Sequence, residues 1–181
     1  SWAKWCCSFL LQPFEEENTA DPDKSESVSP KYKYNQRGGV LMRINSDRLR
    51  EHLTQLGMIG CTPSGGVSRA SFSAADRQAR EYVTELMKKA GCQVYTDPVG
   101  NLIGRVEGSR GGPAIVMGSH IDTVPDGGQF DGALGVMAAI EVMQTLRDNN
   151  VSLDHPVEVI AFADEEGSYL TGTFGSRAML G

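Results

Sequence analysis

The sequence predicts an α/β domain in which a mostly parallel sheet is flanked by helices. Two short apolar runs, Ala114–Met117 and Val157–Ala163, are typical of strands buried on both faces. A long helical pattern over Ala133–Arg147 lies between them. A strand, a helix and a second apolar strand in this order are the βαβ unit of a parallel sheet, and this unit predicts the fold class.

Two helices are predicted ahead of this unit. Three leucines at helical spacing indicate a helix that begins near Asn45 or Ser46. A second helix begins at Ser73, where Asp76 three residues later makes an N-terminal capping arrangement with Asp in place of the usual Glu. Gly91 is the residue that ends it.

The remaining elements follow in chain order. Strands are predicted over about Gln93–Thr96 and Leu102–Val106, before the first apolar run. A further helix begins near Ser176. These elements all lie after residue 41, so they place the ordered domain at residues 42–181.

Residues 1–41 differ in composition from the rest. The stretch Glu15–Pro30 is acidic, contains Pro and Ser, and has almost no apolar residues, so it is predicted to be disordered. The first 41 residues are therefore interpreted as a disordered or extraneous leader. A native start at Met42 is a hypothesis that N-terminal mass spectrometry can test.

Composition excludes several classes of protein. The 181 residues carry a net charge of −6, which argues against a nucleic-acid-binding surface. Because no apolar run approaches the length of a membrane span, an integral membrane protein is not expected. The four cysteines form no CxxC pair, and this favours a reducing, cytoplasmic setting. Two of them, Cys61 and Cys92, are predicted to be packed thiols.

Reactive side chains follow the two apolar strands. His120 and Asp122 come after the first, and Glu165 and Glu166 come after the second. Asp131 lies on the loop that leads into the long helix. Because ligands bind at the carboxyl ends of strands in open α/β sheets, these five side chains are expected to converge from three loops.

One imidazole and four carboxylates form a donor set suited to zinc, manganese, cobalt or nickel. A carboxylate such as Asp131 can bridge two ions, and cations would explain why so many acids share one site. Each motif also has a plain interpretation. An isolated H-x-D occurs by chance, and D-E-E before Gly is often a solvated helix start. The residues alone leave both interpretations open.

Three segments, Gly118–Val136, Glu158–Ser168 and Gly175–Gly181, resemble the M20 metallohydrolases. The best match is the amidase, hydantoinase and carbamoylase branch, which includes N-carbamoyl-L-amino-acid hydrolases, β-ureidopropionases and allantoate amidohydrolases. The resemblance runs from about Met42 to Gly181. It implies a fold of the zinc-exopeptidase kind and hydrolysis of non-peptide C–N bonds in small ureido or amide substrates by metal-activated water.

The resemblance also implies roles for individual residues. His120 binds a first divalent ion, Asp131 bridges two ions, and Glu166 binds the second, with zinc as the first expectation. Glu165 is the general base that activates the attacking water. Asp122 holds His120 in its metal-binding tautomer.

Arg177 has two interpretations: contact with a substrate carboxylate, or a structural ion pair. His52 is expected to be a solvated surface residue, and His155 is expected to lie in a turn. No membrane or nucleic-acid partner is expected.

Family members also carry two more metal-binding histidines and a second, smaller domain used for homodimerisation. Residues 42–181 are therefore expected to be the N-terminal half of a catalytic domain, with a sheet that is incomplete at its C-terminus and has an exposed apolar edge. An M20 aminoacylase or peptidase is the alternative enzyme, and a non-catalytic remnant or binding module is the alternative class.

Overall fold

The computed structural model describes residues 42–181. The leader predicted for residues 1–41, with its disordered stretch, lies outside the described residues. In the part that is described, helices and strands follow one another in the order that the sequence predicts. The elements are α1 (Ser46–Met58), α2 (Ala74–Lys89), β1 (Gln93–Thr96), β2 (Leu102–Val106), β3 (Ile115–His120), α3 (Ala133–Asp148), β4 (Val157–Phe162) and α4 (Phe174–Leu180).

The two ends of α2 form at the residues that the sequence predicts. The Ser73 side chain accepts a hydrogen bond from the Asp76 N–H at 3.2 Å. Past the end of α2, Gly91 adopts a φ of 90°, and the Cys92 N–H donates to the Met87 carbonyl at 3.0 Å. This is the Schellman arrangement, in which glycine adopts the left-handed conformation at little cost.

The four strands form one sheet in the order β1-β2-β4-β3. The α/β class is confirmed, but the prediction of a mostly parallel sheet needs correction for the described residues. Only β3 and β4 pair in parallel, whereas β1 with β2 and β2 with β4 pair antiparallel. The connection at residues 97–101 is too short to cross over the sheet, so β1 and β2 pair as an antiparallel hairpin.

The prediction that the first apolar run is buried on both faces is wrong. In β3, Ile115 is 56% exposed and Val116 is 50% exposed, and among the described residues this strand pairs only with β4. The second run forms the inner strand β4, where Val159 and Ile160 are fully buried as predicted. The exposed residues of β3 agree with the predicted apolar edge of the sheet.

Helices α1, α2 and α3 pack with the sheet in one apolar core. Its fully buried members include Leu56, Val83, Met87, Val136 and Val159. Cys92 belongs to the same core, as predicted, and burial raises the pKa of its thiol to about 11. The core fixes α3 against β3 and β4, and so it fixes the loops at the carboxyl ends of these two strands.

A buried ion pair joins α1 to α3. Glu141 is 1% exposed, and its carboxylate accepts two hydrogen bonds of 2.7 Å from Arg48. The Asn45 N–H at 2.8 Å and the Thr145 hydroxyl at 3.0 Å also donate to Glu141. All of these donors are needed, because a buried carboxylate without partners is strongly destabilising.

Candidate metal centre

His120 is the last residue of β3, so its ring stands at the carboxyl end of the sheet. Its Nδ1 lies 3.0 Å from the Asp122 carbonyl oxygen and 3.4 Å from Asp122 Oδ1. Because both neighbours are acceptors, Nδ1 is assigned as the protonated nitrogen. Nε2 is then left with its lone pair, and it lies 3.6 Å from Glu166 Oε1.

Three side chains bring ligand atoms together at this end of the sheet. One ligand atom each from His120, Asp131 and Glu166 lies within 4.8 Å of the other two. They come from the end of β3, the loop before α3 and the segment after β4. Within residues 42–181, no other group of three His, Cys, Asp or Glu residues meets this spacing. The predicted convergence therefore holds for these three residues.

Asp122 lies behind His120 and is only 2% exposed. Its Oδ2 accepts the Glu166 N–H at 3.0 Å, which ties the end of β3 to the segment after β4. Its Oδ1, which faces the imidazole, makes no hydrogen bond of good geometry within the described residues. A buried carboxylate oxygen aimed at the ring in this way is suited to orienting the imidazole.

The pair shifts both pKa values toward the charged forms. The carboxylate of Asp122 raises the pKa of His120, although burial of the ring opposes this. Burial would raise the pKa of Asp122, but interactions with His120 and with the Glu166 N–H outweigh it, so the pKa is lowered. Asp122 is therefore ionised at neutral pH.

Glu165 has a different environment from the three clustered residues. Its Oε1 accepts the Ser176 N–H and its Oε2 accepts the Ser176 hydroxyl, both at 2.8 Å. The neighbouring Glu166 points its carboxylate toward His120 instead. Adjacent positions of the D-E-E motif thus send their side chains to different partners.

Arg177 lies on α4 with an exposed side chain, beside a surface depression that Thr171, Phe174 and Leu180 also line. It forms no ion pair with any carboxylate of residues 42–181. Within the described residues, Arg177 therefore does not form the structural ion pair that was one of its two interpretations.

The two other histidines lie away from this cluster. His52 is half-buried and meets the Tyr82 ring edge-on at 6.4 Å, so the expectation of a solvated surface residue is wrong. Burial lowers its pKa. His155 is exposed in the loop before β4, where its Nδ1 lies 3.2 Å from the Gly111 carbonyl oxygen, as expected for a turn residue.

Asp164 has a structural role in the site that the sequence did not reveal. It is fully buried with a φ of 52°, and its carboxylate accepts the N–H groups of Ser168 and Leu170, each at 2.8 Å. It thereby shapes the loop that follows Glu166. An Asp between an apolar strand and a Gly-Ser turn is the signal that could have identified it.

Arg69 is a second residue that was missed. Its side chain is fully buried, and its guanidinium donates to the carbonyl oxygens of Ile121 at 2.6 Å, Ile59 at 2.7 Å and Leu56 at 3.0 Å. Burial lowers the pKa of Arg69 to about 10. It connects the end of α1 to the residue between His120 and Asp122. A lone Arg in S-R-A carries no sequence signal of this role.

The donors at this site fit a divalent cation. They are one imidazole nitrogen and two carboxylates, with the carboxylate of Asp122 behind the ring. Without a cation, the carboxylates would repel one another. The arrangement can therefore hold a metal ion at the carboxyl end of the sheet.

The chain is similar to known hydrolases. Residues 101–181 match the model of Peptidase family M28. The chain is 50% identical over 140 residues to an N-carbamoyl-L-amino acid amidohydrolase of Geobacillus stearothermophilus, a match that covers 76% of this chain and 34% of that protein. It is 38% identical over 149 residues to allantoate deiminase 1 of Glycine max, covering 80% of this chain and 31% of the relative.

A solved structure shows the same fold. A hydantoinase/carbamoylase family amidase from Burkholderia ambifaria superposes with a TM-score of 0.74 at 39% identity, covering 76% of this chain and 34% of that one. The chain therefore spans about a third of the length of the relatives that it matches. None of the helices in residues 42–181 is long and apolar enough to cross a membrane.

Proposed function

Since this chain belongs to the hydantoinase/carbamoylase family of amidases, we propose that the complete protein hydrolyses non-peptide C–N bonds in small ureido or amide compounds. Its substrate class is N-carbamoyl amino acids, ureido acids or allantoate-type compounds. The observation that carries the proposal is the convergence of His120, Asp131 and Glu166 within a segment that matches amidohydrolases. A cytoplasmic setting and a homodimeric complete protein belong to the same proposal.

His120, Asp131 and Glu166 would hold two divalent ions, with Asp131 shared between them. Zinc suits one imidazole with carboxylates best, and manganese, cobalt or nickel suit the same donors. When bound, such ions polarise a carbonyl group and lower the pKa of water.

Three further residues have separate roles: Asp122 orients the imidazole ring, Glu165 transfers a proton, and Arg177 binds the substrate. Asp122 keeps the His120 proton on Nδ1, so that Nε2 presents its lone pair. Glu165 takes a proton from the attacking water and delivers it to the leaving nitrogen, the part that a positioned carboxylate plays in general acid–base catalysis. Arg177 binds the carboxylate of the substrate, for which its exposed guanidinium is suited.

Two isosteric variants of the complete protein test this proposal. Glu165→Gln removes the base and should lower turnover of an N-carbamoyl amino acid by about a hundredfold or more, with the metal content unchanged. Glu166→Gln removes a ligand and should lower the metal content measured after dialysis. If Glu165→Gln retains turnover, Glu165 is not the base. If Glu166→Gln retains all of its metal, the ligand assignment is wrong.

The match of residues 101–181 to Peptidase family M28 favours an aminopeptidase or aminoacylase as the second candidate. Comparing kcat/KM for an N-carbamoyl amino acid, the N-acetyl amino acid and a dipeptide with the same side chain decides between the two. The amidase proposal expects the carbamoyl compound to be preferred, and preference for the dipeptide would contradict it. A metal content near two ions in the 181-residue chain would contradict the non-catalytic alternative, whereas a content near zero fits both hypotheses, because family members bind metal with two further histidines.

A further inference from the structure

The first turn of α4 is held against the segment that follows β4. The Thr173 N–H donates to the Glu165 carbonyl and the Gly175 N–H donates to the Ala163 carbonyl, both at 2.8 Å. Gly175 is buried so tightly against Ala163 and Asn101 that a Cβ would overlap their backbone and side-chain atoms. This packing fixes the position of the next residue, Ser176.

Asn101 also joins Gly175 to Ala163 through its side-chain amide. It is fully buried, its Oδ1 accepts the Ala163 N–H at 2.9 Å, and its Nδ2 donates to the Gly175 carbonyl at 3.1 Å. Ser176 therefore stands on a rigid base that is attached to the end of β4.

Ser176 occupies both oxygens of the Glu165 carboxylate. Its N–H meets Oε1 and its hydroxyl meets Oε2, each at 2.8 Å. Hydrogen bonds to an ionised carboxylate are stronger than neutral ones, and two of them from one residue define the plane of the group. A glutamate side chain has three rotatable bonds, so without these donors the carboxylate would sample several orientations.

We propose that Ser176 is a positioning residue that holds the Glu165 carboxylate in the orientation that it needs to accept a proton. This inference rests on the proposed role of Glu165 as the base. Ser176 is assigned this role through its contact with Glu165 alone. Its contribution is preorganisation, because a base that is already aligned does not have to be ordered during the reaction.

The kinetic test uses three variants of the complete protein. Ser176→Ala removes the hydroxyl donor but keeps the backbone donor, and it should lower kcat about tenfold with KM changed less than about twofold. Ser176→Thr retains a hydroxyl and should recover kcat to within about threefold of the parent. Ser168→Ala is the matched control: Ser168 is exposed in the segment between Glu166 and α4, and its hydroxyl makes no hydrogen bond within residues 42–181.

Two readouts do not depend on activity. Ser176→Ala should leave the metal affinity unchanged, because Glu165 is not assigned as a ligand. In the NMR spectrum, the Ser176 amide proton should move upfield in Glu165→Gln, since the neutral amide is a weaker acceptor than a carboxylate. The Ser168 amide, which donates to Asp164, should not move.

The outcomes separate this inference from the proposed function. If Glu165→Gln is inactive while Ser176→Ala matches the parent, the positioning role is wrong and the base survives. If the Ser176 amide does not move in Glu165→Gln, the contact itself is absent and the inference fails. If Glu165→Gln stays active while the Ser176 amide moves, the hydrogen bond exists but Glu165 is not the base, and it is the proposed role of Glu165 that fails.

Discussion

Gly132 lies directly against the ring of His120. A Cβ built on Gly132 would stand 2.5 Å from Nε2 and from Cε1 of the imidazole, and the residue has a φ of 63°. Both facts require glycine here, since an L-residue is strained at this φ and its side chain would displace the ring. The D-G step before α3 therefore places the histidine as well as the carboxylate of Asp131.

We predict that Gly132→Ala abolishes metal binding in the 181-residue chain or in the complete protein. The methyl group pushes His120 Nε2 out of reach of Asp131 and Glu166, while the core beneath it is untouched. Metal content after dialysis and far-UV circular dichroism measure the two effects separately. Gly128→Ala is the control, because its Cβ would meet only Asp131 Cβ at 3.9 Å. Equal metal loss in both variants would contradict the steric argument.

Sequence patterns predicted the elements well where the signal is local. The cap at Ser73 and the stop at Gly91 depend on a few adjacent residues, and so do the bounds of β1 and β2. The antiparallel pairing of β2 with β4 joins distant segments, and no local pattern specifies it. The edge position of β3 was missed for the same reason, because a short apolar run looks alike in central and edge strands.

The candidate site likewise contains residues that the sequence predicted and supporting residues that it did not. His120 ends β3, Glu166 follows β4 and Asp131 lies on the loop between β3 and α3, so their convergence followed from topology. The residues that support them were not visible. Arg69 and Asp164 bind backbone groups of segments far along the chain or across a loop, and Ser176 donates to the Glu165 carboxylate from the next helix. A sequence motif records the reacting side chain but not the fold that delivers its partners.

The two half-buried histidines should titrate on opposite sides of the ordinary value. In metal-free protein, the Asp122 carboxylate raises the pKa of His120 and burial lowers the pKa of His52. NMR titration of the ring protons measures both. Asp122→Asn should lower the pKa of His120 and leave that of His52 unchanged. If His120 titrates below His52 in the parent protein, the assigned contact with Asp122 is wrong.

The direction in which pH changes stability follows from the raised pKa of His120. A raised folded-state pKa means that protonated His120 stabilises the metal-free fold at low pH. This contribution is complete below the unfolded pKa, about 6.5, and is lost as the pH rises through the folded value. Protons compete with metal for Nε2, so metal affinity should fall as the pH is lowered through the same range.

The ion pair between Arg48 and Glu141 should contribute strongly to stability. Arg48→Met leaves Glu141 buried without its main partner, and we expect the free energy of unfolding to fall by about 2–4 kcal/mol. Urea denaturation measures it. The control is Arg50→Met, which breaks only the exposed pair with Asp47 and should cost less than about 0.5 kcal/mol. A loss equally small in both variants would show that Glu141 is satisfied without Arg48.

The ion pair between Arg48 and Glu141 also predicts how the free energy of unfolding depends on pH. Burial would raise the pKa of Glu141, but hydrogen bonds from Arg48, Asn45 and Thr145 outweigh it and lower the pKa. Its contribution is therefore present above the unfolded value, about 4.3, and is lost as the pH falls through the lower folded value. The difference in stability between the parent and Arg48→Met should shrink as the pH drops through this window.

The exposed apolar edge of the sheet should make the 181-residue chain associate with itself. Within residues 42–181, β3 pairs only with β4, so its outer backbone groups and the exposed Val116 are available to another strand. Val116→Lys places a charge on this edge and should suppress concentration-dependent association in analytical ultracentrifugation. Val151→Lys adds the same charge at an exposed loop residue and should not suppress it. Equal suppression by both variants would assign the effect to net charge, because only Val116 lies on the strand whose edge is open.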